Sequence, residues 1–357
     1  MDNFIFVGND LHDKNMLLRI ALNKASAVTR SFSNDAAGCM AMIIDLKQRA
    51  KDAGGARIIL AYEASGLGYE LRDNLIAAGI ECVVLAPSKM APSPKQRCAK
   101  TDEKDAGRIL EVLRGHYLAG NELPAVWVPD LQTRDDREVL RARLDAQEKS
   151  SELKTQIVTL LKRNGVRKIE DLGGNWTKKY RQWLLKLRDC HTPLMEGARR
   201  HLGSLLRQLE ALEKEVATLR EQVEEMAQAP RYAPRVTKLQ TIKAVGPLTA
   251  MVFLTEMGDL ERFKNRRQVG SYLGLVPSSY ETGEANDRKG HITHQGPARV
   301  RFVLNQAVWN IIRFDPDERQ VYDRIVAKNP KHKKIAVVAM MRRLAVRLWH
   351  AGSNAAA

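Results

Sequence analysis

The chain has 357 residues, which is enough for two domains of ordinary size and an extended element between them. Its hydrophobic content of 44% excludes a wholly disordered protein. The formal net charge of +16 indicates a polyanionic partner, and nucleic acid is the commonest polyanion in cells.

The sequence has no feature of a membrane protein or of a secreted protein. No apolar run approaches the ~20 residues that span a bilayer. The first ten residues, MDNFIFVGND, lack the basic region and the long apolar core of a signal peptide. The four cysteines are scattered without zinc-site spacing, which is typical of thiols in a reducing compartment. We therefore expect an intracellular protein that does not contact a membrane.

Strands and helices alternate in the N-terminal third. Short apolar runs predict strands at residues 4–8, 57–62 and 80–85, and helical periodicity predicts helices at 36–53 and 69–78. The alternation indicates an α/β domain with a largely parallel sheet. No GxGxxG motif follows the first strand, so a dinucleotide-binding fold has little support.

A proline-rich basic loop and then a helix follow the third predicted strand. Residues 86–100 contain three prolines and four basic side chains, and the last of them, Lys100, is a candidate contact for nucleic acid. Thr101 is a plausible N-cap for the next helix. The apolar face predicted for this helix consists of Ala106, Ile109, Leu110 and Leu113.

The middle of the chain, residues 131–230, is predicted to be helical and charge-rich. Its clearest part is a heptad seam, in which apolar side chains recur at alternating steps of three and four residues. The seam consists of Leu202, Leu205, Leu209, Leu212, Val216, Leu219, Val223 and Met226. A coiled coil or a long helical hairpin is favoured, and pairing within one chain or between two chains remains open.

A second compact domain, mainly helical, is predicted at residues 235–350. Residues 261–350 hold 18 Lys or Arg and 8 Asp or Glu, so a quarter of the chain carries most of the excess positive charge. From Ile335 to Leu348 apolar and basic residues interleave at helical spacing, which favours a helix packed on a core with its cations outward. These cations are candidate contacts for a nucleic-acid backbone, and a solvated basic face is the alternative.

Four acids are expected to meet at one edge of the predicted sheet. Asp10 and Glu63 each end a predicted strand, and strand ends in such sheets open onto the ligand-binding edge. Asp102 and Asp105 lie three residues apart and share a helix face. Together the four would repel each other unless cations neutralised them, as two Mg²⁺ ions about 3.5–4 Å apart would do.

Each acid also has an ordinary structural interpretation. Asp102 and Asp105 complement the dipole at a helix N-terminus, Asp10 fits a turn, and Glu63 fits a loop. Only the four together favour a metal site.

Three segments carry a resemblance to a known family: VGNDLHDKN, YEASGLGYEL and KTDEKDAGRIL, followed by VWVPD at 126–130. In order and interval they resemble the DEDD transposases of bacterial insertion sequences, the insertion-sequence 110 and 1111 group. The resemblance implies a RuvC-like N-terminal domain of the RNase H type at residues 1–130, with acids that bind Mg²⁺ (or Mn²⁺) and are catalytic. Those acids are Asp10, Glu63, Asp102 and Asp105.

Hydroxyl side chains in the C-terminal domain are surrounded by glycines, polar residues and cations. This setting suits an alcohol that attacks a phosphodiester, and it equally suits any loop that contacts phosphate. The candidate nucleic-acid contacts here are Arg288, Lys289, Arg299 and Arg301.

The same resemblance implies a serine-type nucleophile five positions after the proline of an LxP motif, and in this sequence that position is Thr282. Threonine keeps the hydroxyl group, but its methyl group adds bulk and restricts χ1. Three interpretations are open: Thr282 acts as the nucleophile, Ser278 or Ser279 replaces it through a loop shift, or this copy of the enzyme is impaired. We favour Thr282.

The resulting prediction is a transposase or site-specific recombinase that cuts and rejoins DNA without a nucleotide cofactor. The resemblance further implies a structured guide RNA encoded by the element, and a dimer or tetramer for which the heptad seam is a natural interface. We expect the protein in the bacterial cytoplasm, associated with the nucleoid. A metal-dependent nuclease of the Holliday-junction type that uses water, and a catalytically impaired DNA- or RNA-binding copy, are the alternatives.

Overall fold

The computed structural model describes residues 3–90, 101–169, 172–190, 193–279, 289–328 and 330–354. The chain divides into two compact units, Met1–Val128 and Pro129–Ala357. Among the described residues, no helix has the length and apolar character needed to cross a membrane.

A five-stranded sheet forms the centre of the N-terminal unit. Its strands are β1 (Phe4–Leu11), β2 (Asn15–Leu22), β3 (Val28–Ser33), β4 (Arg57–Glu63) and β5 (Glu81–Leu85). They lie side by side in the order β3-β2-β1-β4-β5. β4 pairs in parallel with β1 and with β5, whereas β2 pairs antiparallel with β1 and with β3.

The prediction of a largely parallel sheet is therefore wrong for half of the strand pairs. Strands at β1, β4 and β5 are confirmed, but β2 and β3 were not predicted. β3 is an edge strand whose residues are almost all exposed, so it has no apolar alternation to reveal it. The turn between β1 and β2, residues 12–14, contains no glycine, so the hairpin also lacked its usual signal.

Helices cover both faces of this sheet. They are α1 (Ala36–Asp52), α2 (Glu70–Ala77) and α3 (Asp102–Ala119), and all three confirm predicted helices. Val7 of β1 belongs to a core with Met42 of α1 and Leu75 of α2. Phe6 points to the other face, as strand alternation requires, and shares a second core with Leu110 of α3.

The C-terminal unit is mainly helical, as predicted. Its helices are α4 (Leu131–Arg163), α5 (Lys178–Asp189), α6 (Glu196–Gln228), α7 (Ala233–Gln240), α8 (Pro247–Met257), α9 (Arg266–Tyr272), α10 (Ala298–Phe314), α11 (Pro316–Lys328) and α12 (Lys333–Ser353). Two short strands, β6 (Pro277–Ser279) and β7 (Lys289–Ile292), pair antiparallel.

The two 33-residue helices α4 and α6 pack against each other in opposite directions. Leu140, early in α4, shares a core with Val223, late in α6. Ile157, late in α4, shares another core with Leu202, early in α6. Much of the heptad seam is therefore buried within the chain. A coiled coil between chains stays a prediction.

Helices α7 to α12 surround a single core. Helix α8 is apolar on nearly all sides, and seven of its side chains are buried, as expected for a helix enclosed by others. Helix α12 buries Ala336, Met340 and Leu344 against this core, which confirms the predicted apolar face. Its Trp349 donates a hydrogen bond from Nε1 to the carbonyl oxygen of Leu260, 2.9 Å away.

Candidate functional site

A glycine lets helix α3 lie directly against strand β1. A Cβ atom placed on Gly8 would be 2.1 Å from the carbonyl oxygen of Ala106 and 2.5 Å from the backbone nitrogen of Leu110. Both are backbone atoms, so no side-chain rotation could make room. This close approach brings the first turn of α3 to the end of β1 that carries Asp10.

The N-terminus of α3 is held in place from two sides. Thr101 is the N-cap, and its hydroxyl accepts a hydrogen bond from the backbone nitrogen of Lys104. Glu103 accepts hydrogen bonds from Thr29 of β3, at 2.7 Å, and from Arg19 of β2. The bond from Thr29, followed by the charge of Arg19, lowers the pKa of Glu103 below its ordinary value. The two strands that were not predicted, edge strand β3 and its neighbour β2, thus anchor the helix that bears Asp102 and Asp105.

Asp10, His12 and Asp102 form the tightest part of the site. His12 Nε2 lies 3.2 Å from Asp10 Oδ2 and 3.6 Å from Asp102 Oδ2. One potential ligand atom from each residue lies within 4.8 Å of the others. Burial raises the pKa of Asp10, and the negative charges of Asp102 and Asp105 raise it further against the opposing effect of His12. The carboxylate of Asp10 is therefore partly buried beside other acids, an environment that a bound cation would stabilise.

Glu63 and Asp105 meet at a second point, around an arginine of α3. Glu63 ends β4, and Asp10 follows Asn9, which pairs with Tyr62, so the two acids lie at the same edge of the sheet. Arg108 Nη2 lies 2.7 Å from Glu63 Oε1 and 3.6 Å from Asp105 Oδ1.

We call Asp10, Glu63, Asp102 and Asp105 the carboxylate cluster. All four lie where the C-terminal ends of β1 and β4 meet the first turn of α3. Such a set of hard oxygen donors can bind a divalent cation, and a cation bound there can contact a phosphate group.

Sequence reasoning missed two members of this region, His12 and Arg108. A signal existed for His12, because it follows Asp10 by two residues and therefore projects to the same side of the extended chain. Arg108 follows Asp105 by three residues and shares its helix face. Its contact with Glu63, 45 positions away, had no local signal.

Three predicted site residues fall outside the described residues, namely Thr282 and Arg288 of the C-terminal unit and Lys100 of the N-terminal unit. Lys289 is described only through its backbone in β7. Ser278 lies in β6, and its hydroxyl donates to the carbonyl oxygen of His291 at 3.1 Å. Ser279, which ends β6, pairs with Lys289 of β7.

The two predicted arginine contacts in α10 have partners within the C-terminal unit. Arg299 Nη2 lies 3.2 Å from Asp145 Oδ1 of α4. Arg301 Nη1 donates to the carbonyl oxygens of Leu273, Gln295 and Gly296, at 2.9 to 3.2 Å. Burial lowers the pKa of Arg301. Arg301 therefore fixes the loop before α10, and its role in nucleic-acid contact remains a prediction.

Two family models match the chain. A transposase model of the DEDD type matches residues 7–164, and a model described as "Transposase IS116/IS110/IS902 family" matches residues 236–323. Together they match well over half of the chain, and the first includes the whole carboxylate cluster.

Curated relatives of the chain are also named as transposases. Two Sinorhizobium fredii proteins named as transposases, y4qE and y4rJ, are 32% and 28% identical over 80% and 89% of this chain. The alignments span 66% and 83% of those two relatives. The transposase for insertion sequence element IS1533 of Leptospira borgpetersenii is 23% identical over 70% of this chain and 69% of its own length.

Proposed function

Because the chain belongs to the IS110 family of transposases, enzymes that cleave DNA and transfer its strands, we propose that it cuts and rejoins DNA at the ends of a mobile element. The carboxylate cluster is the observation that carries the proposal. The strand order β3-β2-β1-β4-β5, with α3 against β1, supports a RuvC-like domain of the RNase H type.

The carboxylate cluster fits a divalent cation by the chemistry of its donors. Mg²⁺ and Mn²⁺ prefer oxygen ligands, and Asp10, Glu63, Asp102 and Asp105 would hold the ion. The raised pKa of Asp10, caused by burial and then by neighbouring acids, fits a site that lacks a positive charge. When bound, the cation stabilises negative charge on a phosphodiester. His12 is proposed as a hydrogen-bonding partner that orients Asp10 and lies beside Asp102.

The C-terminal part is proposed to supply the nucleophile. Thr282 attacks the phosphodiester through its hydroxyl oxygen and displaces a 3′- or 5′-oxygen, which leaves with a proton, so the bond energy is kept in a protein–DNA ester. Residues 1–130 would form the metal-binding domain, 131–230 the helical region and 235–350 the domain of the nucleophile. The proposed nucleic-acid contacts are Lys100, Arg288, Lys289, Arg299 and Arg301.

We further propose that the protein binds DNA and a structured guide RNA, forms an oligomer and acts at the nucleoid. The family membership and the excess of Lys and Arg support DNA as the substrate and a structured guide RNA as a second partner. Partly exposed seam residues of α6, such as Val216, offer an interface for a dimer or tetramer. A protein that works on genomic DNA would act in the bacterial cytoplasm, at the nucleoid.

The test is to trap the covalent intermediate. The full chain is incubated with labelled element-end DNA, its guide RNA and Mg²⁺, then denatured and run on a gel that separates a protein–DNA adduct from free DNA. We expect an adduct that is lost in Thr282→Ala and in Asp10→Asn, and that persists in Ser278→Ala. Thr282→Ser, which keeps the hydroxyl group, should retain it.

Other outcomes would favour the two alternatives. Free cleaved ends without an adduct, still dependent on Asp10, would favour a metal-dependent nuclease that uses water. Tight binding of DNA and RNA without any cleavage would favour an impaired copy. Loss of the adduct in Ser278→Ala rather than in Thr282→Ala would move the nucleophile to β6.

A further inference from the structure

A wide groove in the C-terminal unit lies between the β6–β7 hairpin and helix α12. Pro277 of β6 and Ile292 of β7 line one side, and Lys334 and Arg342 of α12 line the other. Its volume is about 1490 Å³. Sites for small molecules usually measure about 300–1,000 Å³, so this groove is better matched to a segment of a polymer.

The lining is strongly cationic. Seven lysines and arginines and three histidines line the groove, and none of the described lining residues is an acid. Lys333 and Lys334 begin helix α12 and are exposed. Cations are unfavourable at a helix N-terminus, so their position does not serve the stability of α12. A lining of this kind attracts a chain of phosphates.

Two of the groove's arginines are held by a buried acid. Glu318 of α11 is 8% exposed, and its carboxylate accepts from Arg343 Nε at 3.0 Å and from Arg347 Nη1 at 2.9 Å. One carboxylate cannot neutralise two guanidinium groups, so the trio keeps a net positive charge. The side chains of Arg343 and Arg347 are 51% and 43% exposed, so their remaining N–H groups are accessible to a further acceptor.

The groove also has an apolar part, which distinguishes its occupant. Pro277, Ile292 and Val338 contribute to the lining, and Ile335 contributes while 54% exposed. A duplex presents phosphates and sugars to a protein surface and keeps its bases stacked inside. An unpaired strand offers both phosphates for cations and base faces for apolar side chains.

We propose that this groove binds an unpaired DNA strand, with its phosphates against the cations of α12 and its bases against the apolar side chains. The choice of DNA rests on the proposed function. Residues 280–288, which join the two hairpin strands in sequence, include Thr282, the nucleophile of that proposal.

The chain offers a matched control for the charge. Lys178 and Lys179 begin helix α5 just as Lys333 and Lys334 begin α12, and both pairs are exposed. Only the second pair lines the groove. Replacing either pair with glutamine removes the same charge from the same position in a helix, and in neither case is a helix N-terminus destabilised.

The experiment measures binding of the full chain, in EDTA, to a fluorescein-labelled 20-nucleotide unpaired DNA by fluorescence anisotropy. The same sequence is tested as a duplex and as RNA. We expect Lys333→Gln/Lys334→Gln to weaken binding of the unpaired DNA about tenfold. The slope of log affinity against log salt should become shallower by about 1.4, since each phosphate contact of a single strand contributes about 0.7. Lys178→Gln/Lys179→Gln should change affinity less than twofold.

Ile335→Ser tests the apolar part without removing a charge. We expect it to weaken the unpaired strand several-fold and to leave duplex binding unchanged. Equal losses from the two lysine pairs would overturn the proposal, as would an Ile335→Ser variant with unaltered affinity. RNA that binds more tightly than DNA, with greater sensitivity to Lys333→Gln/Lys334→Gln, would also overturn it.

The outcome is separable from that of the proposed function. Asp10→Asn should abolish cleavage while leaving the anisotropy titration as it is in the unaltered chain. If cleavage proceeds normally in Lys333→Gln/Lys334→Gln and unpaired DNA binds as before, only the groove proposal fails. If the groove binds as expected but no adduct or cleavage is ever seen, only the proposed function fails.

Discussion

At the scale of single residues, the carboxylate cluster is organised around two nitrogen-bearing side chains. His12 contacts Asp10 and Asp102, and Arg108 contacts Glu63 and Asp105. Two unit charges ~4 Å apart interact by a few kcal/mol at the effective dielectric of a protein surface, so the guanidinium of Arg108 offsets part of the repulsion between Glu63 and Asp105. Arg108 is a fixed cation in this region, whereas a metal ion would be an exchangeable one.

The first prediction is that Arg108 competes with a metal ion for the acids. Arg108→Met keeps much of the aliphatic stem and removes the positive charge beside Glu63 and Asp105. We expect Mg²⁺ to bind about tenfold more tightly, because the ion no longer meets a like charge at short distance. Isothermal titration calorimetry of both proteins with MgCl₂ measures the change.

Arg114→Met is the matched control for this measurement. Arg114 lies on the same helix and donates to the carbonyl oxygen of Asn23, and it forms an ion pair with Glu111, which lies outside the carboxylate cluster. Its removal should leave the Mg²⁺ affinity within about twofold. Unchanged Mg²⁺ binding in Arg108→Met would show that Arg108 does not compete with the ion, and weaker binding would show that the guanidinium assists the metal site.

The second prediction concerns Gly8, which has no room for a Cβ atom against α3. Gly8→Ala must push the helix away from β1, and we expect a loss of at least about 1–3 kcal/mol in the free energy of unfolding together with weaker Mg²⁺ binding. Thermal denaturation and calorimetry measure both. In Gly107→Ala the new Cβ meets no atom within 4 Å, so this change within α3 should be neutral or stabilising. Equal effects of the two changes would contradict the close-contact argument.

At the scale of elements, Glu213 of α6 links three helices. Its carboxylate accepts from Arg181 of α5 at 2.6 and 2.8 Å and from Lys154 of α4 at 3.0 Å. The hydrogen bonds from Arg181, more than the opposing effect of burial, lower the pKa of Glu213 below its ordinary value of 4.5. A carboxyl group with a lowered pKa stabilises the folded state when it is ionised.

The third prediction follows from the lowered pKa of Glu213. Above pH 4.5 the contribution of Glu213 is fully present, and it is lost as the pH falls through the lower pKa of the folded state. We expect Glu213→Gln to reduce the free energy of unfolding by about 1–2 kcal/mol at pH 7, and the difference to shrink near pH 3. Urea denaturation at both pH values measures it.

Glu210→Gln serves as the control, because Glu210 pairs with Lys214 on the exposed face of the same helix. Exposed pairs of this kind contribute little, so we expect a change below about 0.5 kcal/mol at pH 7. A Glu213→Gln deficit that persists undiminished at pH 3 would mean that packing, and not charge, links the helices.

Some of these helices and strands could be predicted from the sequence, and others could not. Helix α3 was predictable because Thr101 caps it and its apolar residues recur at helical spacing. Strands β1 and β4 were predictable because they are buried on both faces and read as apolar runs. Edge strand β3 could not be predicted, because an exposed strand has no alternation of apolar and polar residues. The four acids were predicted from their place at strand and helix ends, and the structure brings them to one edge of the sheet. Arg108 was missed because its contact with Glu63 depends on tertiary packing.

At the scale of the whole molecule, the two units have separate cores. Leu60 is fully buried in the core of the N-terminal unit, and Leu304 is fully buried in that of the C-terminal unit. The proposed ligands divide in the same way, with a metal ion for the carboxylate cluster and unpaired DNA for the groove of α12. A ligand that binds only the native state stabilises the unit that binds it.

The last prediction is that Mg²⁺ stabilises one unfolding transition and not the other. Differential scanning calorimetry of the full chain should resolve two transitions. Leu60→Ala should lower the Tm of one and Leu304→Ala the Tm of the other, because each deletes about 2–5 kcal/mol of packing from its own core. We expect 10 mM MgCl₂ to raise only the Tm that Leu60→Ala lowers, and Asp10→Asn/Asp102→Asn to abolish that rise. A rise in the transition that Leu304→Ala lowers, or one that survives in the double variant, would place the ion elsewhere. A single transition lowered by both leucine changes would contradict this prediction, because it would mean that the two units unfold as one cooperative system.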